Sequence, residues 1–156
     1  MKLQFAIFAL AMVSVSGLVN TQVFAAPPNK EAPISRRMFV DPSSTKVSLG
    51  KISLIVNPLN HIGKFYVGEY QIKVVPYFFK NESGTLKMEA SDDSIQKLSK
   101  GIAMEFAGKA TNNKNGAQKV ITGKATPSTK DQGIATFSIV TDNGLMVFNT
   151  SYHFGE

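Results

Sequence analysis

From residue 47 onward, the chain is dominated by a period-two alternation of apolar and polar residues, the pattern of strands with one buried face. The longest such run spans residues 64–75. Turn signals such as Asn81–Gly84 and Asn112–Gly116 separate this run from later ones at intervals of about 8–15 residues. Further runs cover residues 85–90, 102–111, 117–125, 134–141 and 145–154. The pattern therefore predicts seven or eight short strands.

One segment departs from this alternation and predicts a short helix over residues 91–100. Ser91 is a suitable N-cap, and Asp92 and Asp93 place negative charge in the first turn, where the helix dipole favours it. Ile95 and Leu98 fall on one face. Gly101 follows at the position where helices often close in a left-handed conformation.

The predicted fold class is mainly β: a single antiparallel β-barrel or β-sandwich with one short helix. Strands joined by short turns pair antiparallel, because a parallel pair needs a long crossover connection. The sequence leaves the choice between barrel and sandwich open. We expect this β domain to cover residues 47–156.

The N-terminal segment has the order of a secretory signal peptide. Lys2 precedes an apolar run at residues 5–13, and a more polar stretch leads to a small-residue cleavage site, which places the signal peptide at residues 1–25. The apolar run is too short for a membrane-spanning helix. Residues 26–46 are Pro-rich and predict a flexible leader, with Arg37 to Val40 as a candidate edge strand. We thus expect a secreted or periplasmic protein that does not span the membrane after cleavage.

The inventory of reactive side chains favours a non-enzymatic protein. The chain has no cysteine, which excludes thiol chemistry and a lipid-modified Cys, and only two histidines, His61 and His153, which we assign to turn or surface positions. A zinc site would need carboxylates added by the fold. The one adjacent carboxylate pair, Asp92-Asp93, is explained by its position at the start of the predicted helix. A hydrolase, which would need acidic or histidine side chains brought together in a cleft, ranks below the two binding hypotheses that follow. We expect no metal and no cofactor.

An aromatic-rich region is the first candidate binding site. Its members lie close together in sequence: Tyr66, Tyr70, Tyr77, Phe78 and Phe79. They form either plain core or a site for a small apolar ligand or a protein partner. The binding-site interpretation predicts an enclosed cavity of a few hundred Å³ or a contiguous exposed apolar patch.

A lysine stripe is the alternative site. The chain carries a net charge of +6, and lysines recur across one predicted hairpin at Lys109, Lys114, Lys119 and Lys124. Such a stripe fits an anionic polysaccharide or lipid headgroups, although lysines also protect strand edges. Because the protein is predicted to be exported, we expect no nucleic-acid partner.

Overall fold

The structure, a computed structural model, describes residues 36–47, 50–141 and 144–155. The predicted signal peptide (1–25) and the first part of the predicted leader lie outside the described residues. All structural statements below concern the described ranges.

Ten strands and one α-helix make up this part of the chain. The strands are β1 Arg37–Val40, β2 Ser43–Val47, β3 Gly50–Val56, β4 Asn60–Ile62, β5 Phe65–Val75, β6 Glu82–Glu89, β7 Met104–Asn112, β8 Gln118–Pro127, β9 Gln132–Thr141 and β10 Gly144–Gly155. The helix α1 is Asp92–Ser99, and a 3-10 turn occupies Phe78–Lys80.

The strands form one antiparallel sheet that is curled into a half-barrel. The order is β1-β10-β9-β8-β7-β6-β5-β3-β2, with β4 paired to β5 beside β3. The mainly β, antiparallel prediction is confirmed, but the strand number is ten rather than seven or eight.

The extra strands come largely from the segment that was predicted to be a leader. β1 and β2 both lie before residue 48 and are separated by Asp41-Pro42. Val40 pairs with Tyr152 of β10, whereas Ser43 pairs with Leu54 of β3. Because proline cannot donate a ladder hydrogen bond, the extended segment splits into two strands that pair with opposite edges of the sheet.

Sequence reading also misplaced one turn. Residues 81–84 were predicted to form it, but β6 already begins at Glu82, and the chain reverses at residues 76–81. The Asn81 side chain closes this reversal, since its Oδ1 accepts a hydrogen bond from the Val74 backbone N–H at 2.8 Å. The hairpin predicted at 112–116 is confirmed, with Gly116 at φ 70°.

Helix α1 matches its prediction closely. The Ser91 hydroxyl accepts the Ser94 backbone N–H at 3.3 Å, and Gly101 takes φ 81° after the last turn. Ile95 and Leu98 are buried against the sheet. Among the described residues, no helix is long and apolar enough to cross a bilayer.

In an antiparallel sheet whose sequential strands are neighbours, the connections alternate between two ends. The β2–β3, β5–β6, β7–β8 and β9–β10 connections share one end, here called the loop end. The β4–β5 and β8–β9 connections and α1, which links β6 to β7, share the other end, here called the helix end.

The core lies inside the curl, on the concave face of the sheet. Its largest fully buried side chains are Tyr66, Tyr152, Phe137, Phe148, Leu59 and Ile139. Leu59 packs over Gly68, where a Cβ atom would lie 2.7 Å from the Leu59 Cδ2 atom. A glycine is therefore needed at this point of β5 for the two chain segments to approach.

Candidate functional site

The β5–β6 connection at the loop end is a compact, hydrogen-bonded turn. Pro76 ends β5 because it cannot extend the ladder. The Lys80 backbone N–H donates to the Tyr77 carbonyl at 2.9 Å, and that of Asn81 donates to the Phe78 carbonyl at 3.1 Å. These bonds satisfy the backbone internally, so the side chains of the turn project from a defined scaffold.

The turn presents aromatic rings to solvent. Phe78 is 65% exposed and Phe79 is 80% exposed, and Tyr77 beside them is also exposed. The Tyr77 and Phe79 rings meet edge to face with centroids 5.9 Å apart, and the Lys80 Nζ atom lies 5.8 Å from the Tyr77 ring centroid. Large apolar side chains at this exposure have no packing role within the described fold, which marks the turn as a candidate contact surface. We call Tyr77–Lys80 the aromatic loop.

Three lysines lie on the β5 side of the aromatic loop. Lys46 pairs with Lys51 across β2 and β3, and Lys51 pairs with Val75 just before the loop. Lys73 lies two residues before Val75 on the same outer face of β5, and all three lysines are exposed. No carboxylate of the described residues forms an ion pair with them. Their charge is therefore available to an external anion.

A polar cluster holds the base of the aromatic loop. The Glu82 carboxylate accepts hydrogen bonds from the Lys119 ammonium and the Tyr70 hydroxyl, and this joins β6 to β8 and β5. Burial alone would raise the pKa of Glu82, but the bonds from Lys119 and Tyr70 outweigh it and hold that pKa below its ordinary value. Burial, aided by the bond to Glu82, raises the pKa of Tyr70. The cluster is an internal ion pair that fixes the strands from which the loop emerges.

The aromatic-rich region predicted from sequence is divided by the fold. Tyr66 and Tyr70 point into the core and are buried, whereas Tyr77, Phe78 and Phe79 lie outside on the aromatic loop. The reason is strand parity: Tyr66 and Tyr70 share the inner face of β5, and the loop begins after that strand ends. The five residues do not form one site.

The four predicted stripe lysines are likewise dispersed. Lys109 and Lys124 are on the outer face, and Lys124 stands opposite Glu105. Lys114 lies in the β7–β8 hairpin at the loop end, while Lys119 faces inward to Glu82. An odd spacing along β8 separates Lys119 from Lys124 and sends them to opposite faces. They do not form a continuous stripe.

Sequence reading missed Lys46, Lys51, Lys73 and Lys80 as members of the loop-end site. Their distance from one another in sequence concealed the grouping, which depends on β3 pairing with β5. The available signal was local: Lys73 and Lys80 flank the aromatic run within a few residues.

Two small cavities lie in the described interior. Beneath the loop end, a cavity of about 10 Å³ is bounded by Tyr70, Glu82 and Lys119 among apolar side chains. Beneath α1, a second cavity of about 20 Å³ is bounded by Tyr66, Leu98 and neighbouring core residues. Each has room for about one water molecule. Neither of these two cavities reaches the few hundred Å³ expected for an enclosed apolar ligand.

The convex face carries a larger but open depression. It has a volume of about 550 Å³ and spans β7, β8 and β9 between Glu105, Thr122, Lys124 and Ser138. Its lining is small and mixed in polarity, so it lacks the apolar enclosure typical of a small-molecule site.

His61, expected at a surface or turn, is a core-side residue of β4. Its side chain is 5% exposed and its ring lies 4.9 Å from the Tyr66 ring, with the Asp92 carboxylate 3.8 Å from Nε2. His153 is exposed as predicted and stacks on Phe39 at 4.8 Å. Within the described ranges, no three His, Asp or Glu side chains are grouped so as to hold a metal ion.

Comparisons with protein-family models, with curated proteins and with solved structures gave no match. The interpretation of the loop end therefore rests on its own geometry and chemistry.

Proposed function

We propose that this protein is an exported, non-enzymatic binding module that attaches to an anionic phospholipid surface through the aromatic loop. The single observation that supports this most directly is the pair Phe78 and Phe79, which are 65% and 80% exposed on an internally hydrogen-bonded turn. Lys46, Lys51 and Lys73 lie on one flank of them, and Lys80 follows them in the turn. An apolar tip beside basic side chains matches the chemistry of a membrane interface, where hydrocarbon lies beneath negatively charged headgroups.

The magnitudes suit reversible attachment. Burying each phenylalanine contributes about 1.5–3 kcal/mol, and each lysine near an anionic surface contributes about 1 kcal/mol. Tyr77 has an apolar ring and a polar hydroxyl, and tyrosine is enriched at the level of the lipid headgroups in membranes for this reason. Because the turn is already ordered by its own hydrogen bonds, little conformational entropy is lost on docking.

The other candidate partners have weaker support. A small apolar ligand would need an enclosed space larger than the interior cavities of about 10 and 20 Å³. An anionic polysaccharide bound through Lys109, Lys114, Lys119 and Lys124 would meet lysines that face different directions.

The proposed location is secreted or periplasmic, following the signal peptide predicted at residues 1–25. We also propose that the sheet closes into a barrel at the helix end. Met38 of β1 exchanges backbone hydrogen bonds of 2.9 and 2.8 Å with Leu59, and β1 pairs with β10 on its other side. β1 would thus bridge the two edges.

Vesicle co-sedimentation tests the proposed function. The protein is purified after export, its N-terminus is checked by mass spectrometry, and it is mixed with vesicles of equal parts phosphatidylcholine and phosphatidylglycerol. Phe78→Ser/Phe79→Ser should weaken binding by about a hundredfold or more. The matched control is Ile62→Ser/Ile102→Ser, which removes two exposed apolar side chains from the helix end and should change binding less than about twofold.

Two outcomes would overturn the proposal. One is equal binding to vesicles of phosphatidylcholine alone and to the anionic vesicles, or none to either. The other is binding to an acidic polysaccharide that is lost on charge reversal of Lys109 and Lys124 but kept in the phenylalanine variant. That result would favour the polysaccharide-binding alternative.

A further inference from the structure

A second apolar surface lies at the loop end, on the outer face of β8, β9 and β10. It consists of four exposed side chains, which we call the outer strip: Val120, Val140, Leu145 and Val147. Val140 pairs with Leu145, and the register that pairs Ile121 with Ile139 places Val120 beside Val140. The strip is thus contiguous across three neighbouring strands, unlike the scattered exposed apolar residues that are normal on any protein.

Two lysines continue the same row of the sheet. Lys109 pairs with Val120, and Lys87 pairs with Lys109 on the next strand. The outer strip therefore repeats the chemistry of the aromatic loop, with apolar side chains beside basic ones that have no carboxylate partner among the described residues; Lys87 lies over the Phe65 ring, with its Nζ atom 4.0 Å from the ring centroid.

The strip lies close to the loop-end rim. Val140 and Leu145 are near the β9–β10 connection, and Val120 follows the β7–β8 hairpin by a few residues. At about 3.3 Å per residue, each lies within roughly 10 Å of the end of its strand. Side chains at that height reach the interface, because surface-bound elements enter a bilayer by about 5–10 Å.

We propose that the outer strip is a second contact with the same anionic phospholipid surface, and that the two contacts together fix the orientation of the protein. This inference rests on the proposed function of the aromatic loop. A single loop would leave the molecule free to tilt about its tip, whereas contacts on β5–β6 and on β8–β10 hold the loop end against the bilayer and the helix end away from it.

The charge distribution favours this orientation. The carboxylates of Asp92, Asp93 and Asp131 belong to the helix end, where they remain distant from anionic headgroups. At the loop end, the described residues offer one carboxylate, Glu82, and it is already paired with Lys119; Asp142 of the β9–β10 connection lies outside the described residues. At the helix end, Lys97 and Lys100 accompany the acidic side chains, so docking by that end would combine attraction with repulsion by the carboxylates.

The cysteine-free chain allows a direct test with single labels. Val140→Cys and Ile134→Cys carry an environment-sensitive nitrobenzoxadiazole probe. Both positions are on the outer face of β9 and both side chains are 58% exposed, but Ile134 lies towards the helix end. Phe79→Cys reports on the aromatic loop. With the anionic vesicles, the probes at 140 and 79 should shift to the blue, and the probe at 134 should not.

The outcomes separate the two proposals. A response at 79 without one at 140 overturns the second contact and leaves the aromatic loop in place. No response at any position, with no sedimentation of the unlabelled protein, overturns both proposals. Equal responses at 134 and 140 contradict the orientation.

A measurement without vesicles tests self-association. If the probe at 140 shifts to the blue as protein concentration rises, and light scattering gives a doubled mass, the strip is an interface between two copies of this chain and the lipid contact is overturned.

A pair of unlabelled variants measures the size of the effect. Val140→Ser should weaken vesicle binding by about fivefold to tenfold, and Ile134→Ser by less than about twofold. Equal affinities for the two variants would contradict a lipid contact at the strip.

Discussion

The two ends of the sheet differ in the burial of their aromatic side chains and in the ion pairing of their basic ones. At the helix end, Tyr66 is covered by the core, and Arg36 is paired with Asp131. At the loop end, Phe78 and Phe79 are uncovered and the neighbouring lysines have no described carboxylate partner. These side chains are satisfied within the chain at the helix end and left available at the loop end, although single apolar residues such as Ile62 and Ile102 are exposed at the helix end as well.

The difference follows from the lengths of the connections. The β6–β7 connection is long enough to form α1, which places Ile95 and Leu98 over the open edge of the core. The loop-end connections are short hairpins and turns, which reverse the chain but cannot cover the rim. A long connection can thus cover the core at one end of the sheet, as α1 does here. An aromatic side chain in a short connection remains exposed to solvent.

The largest expected contrast concerns the free energy of unfolding. Leu98→Ala at the helix end should lower it by about 2–4 kcal/mol, because it removes a buried side chain and leaves a cavity. Phe79→Ala at the loop end should change it by less than about 0.5 kcal/mol. Urea unfolding followed by circular dichroism measures both, and equal losses would show that the aromatic loop is part of the core.

Alkaline titration gives the next effect. Burial raises the pKa of Tyr66 from 10.0 to about 12, so the folded protein retains the neutral form while the unfolded chain ionises. Stability from this site is complete below pH 10 and declines as pH rises towards about 12, by about 2–3 kcal/mol. Tyr66→Phe should remove this part of the decline, while Tyr70 and Tyr152, whose pKa values are also raised, keep the rest. Because the buried Tyr66 hydroxyl has no hydrogen-bond partner among the described residues, the substitution should not destabilise the protein at neutral pH. The free energy of unfolding is measured against pH for the wild type and for Tyr66→Phe. An equal alkaline decline in the two proteins would contradict this role of Tyr66.

The base of the aromatic loop should show the opposite pH dependence. Glu82 has a lowered pKa in the folded state, so its contribution is present above the ordinary value of 4.5 and is lost as pH falls through the lowered one. Glu82→Gln should cost about 1–3 kcal/mol at neutral pH, since Lys119 loses its charged partner. The difference from the wild type should shrink in acid. A constant difference would mean that the charge of Glu82 is not what stabilises the cluster.

The smallest effect compares single lysines in vesicle binding. Lys80→Ser in the aromatic loop should weaken binding to anionic vesicles by about fivefold, and added salt should reduce that difference. Lys97→Ser on α1 is the control, and its affinity should match the wild type. Equal effects of the two substitutions would indicate attraction by net charge without a defined docking end.

Much of the fold was predictable because it depends on local patterns. The alternation along residues 64–75 predicted the strand and placed Tyr66 and Tyr70 on one face of it, and Ser91 and Gly101 marked the helix ends. The strands at Arg37–Val40 and Ser43–Val47 were harder to predict as a pair, because their stability comes from partners distant in sequence.

By itself, the sequence determined the helix α1, the alternation of most strands and the mainly β class, and it predicts a signal peptide, since each depends on neighbouring residues. The tertiary structure alone decided which end of the sheet is covered and which lysines gather around Phe78 and Phe79. Those outcomes depend on strand register, in which a shift of one residue sends a side chain to the other face.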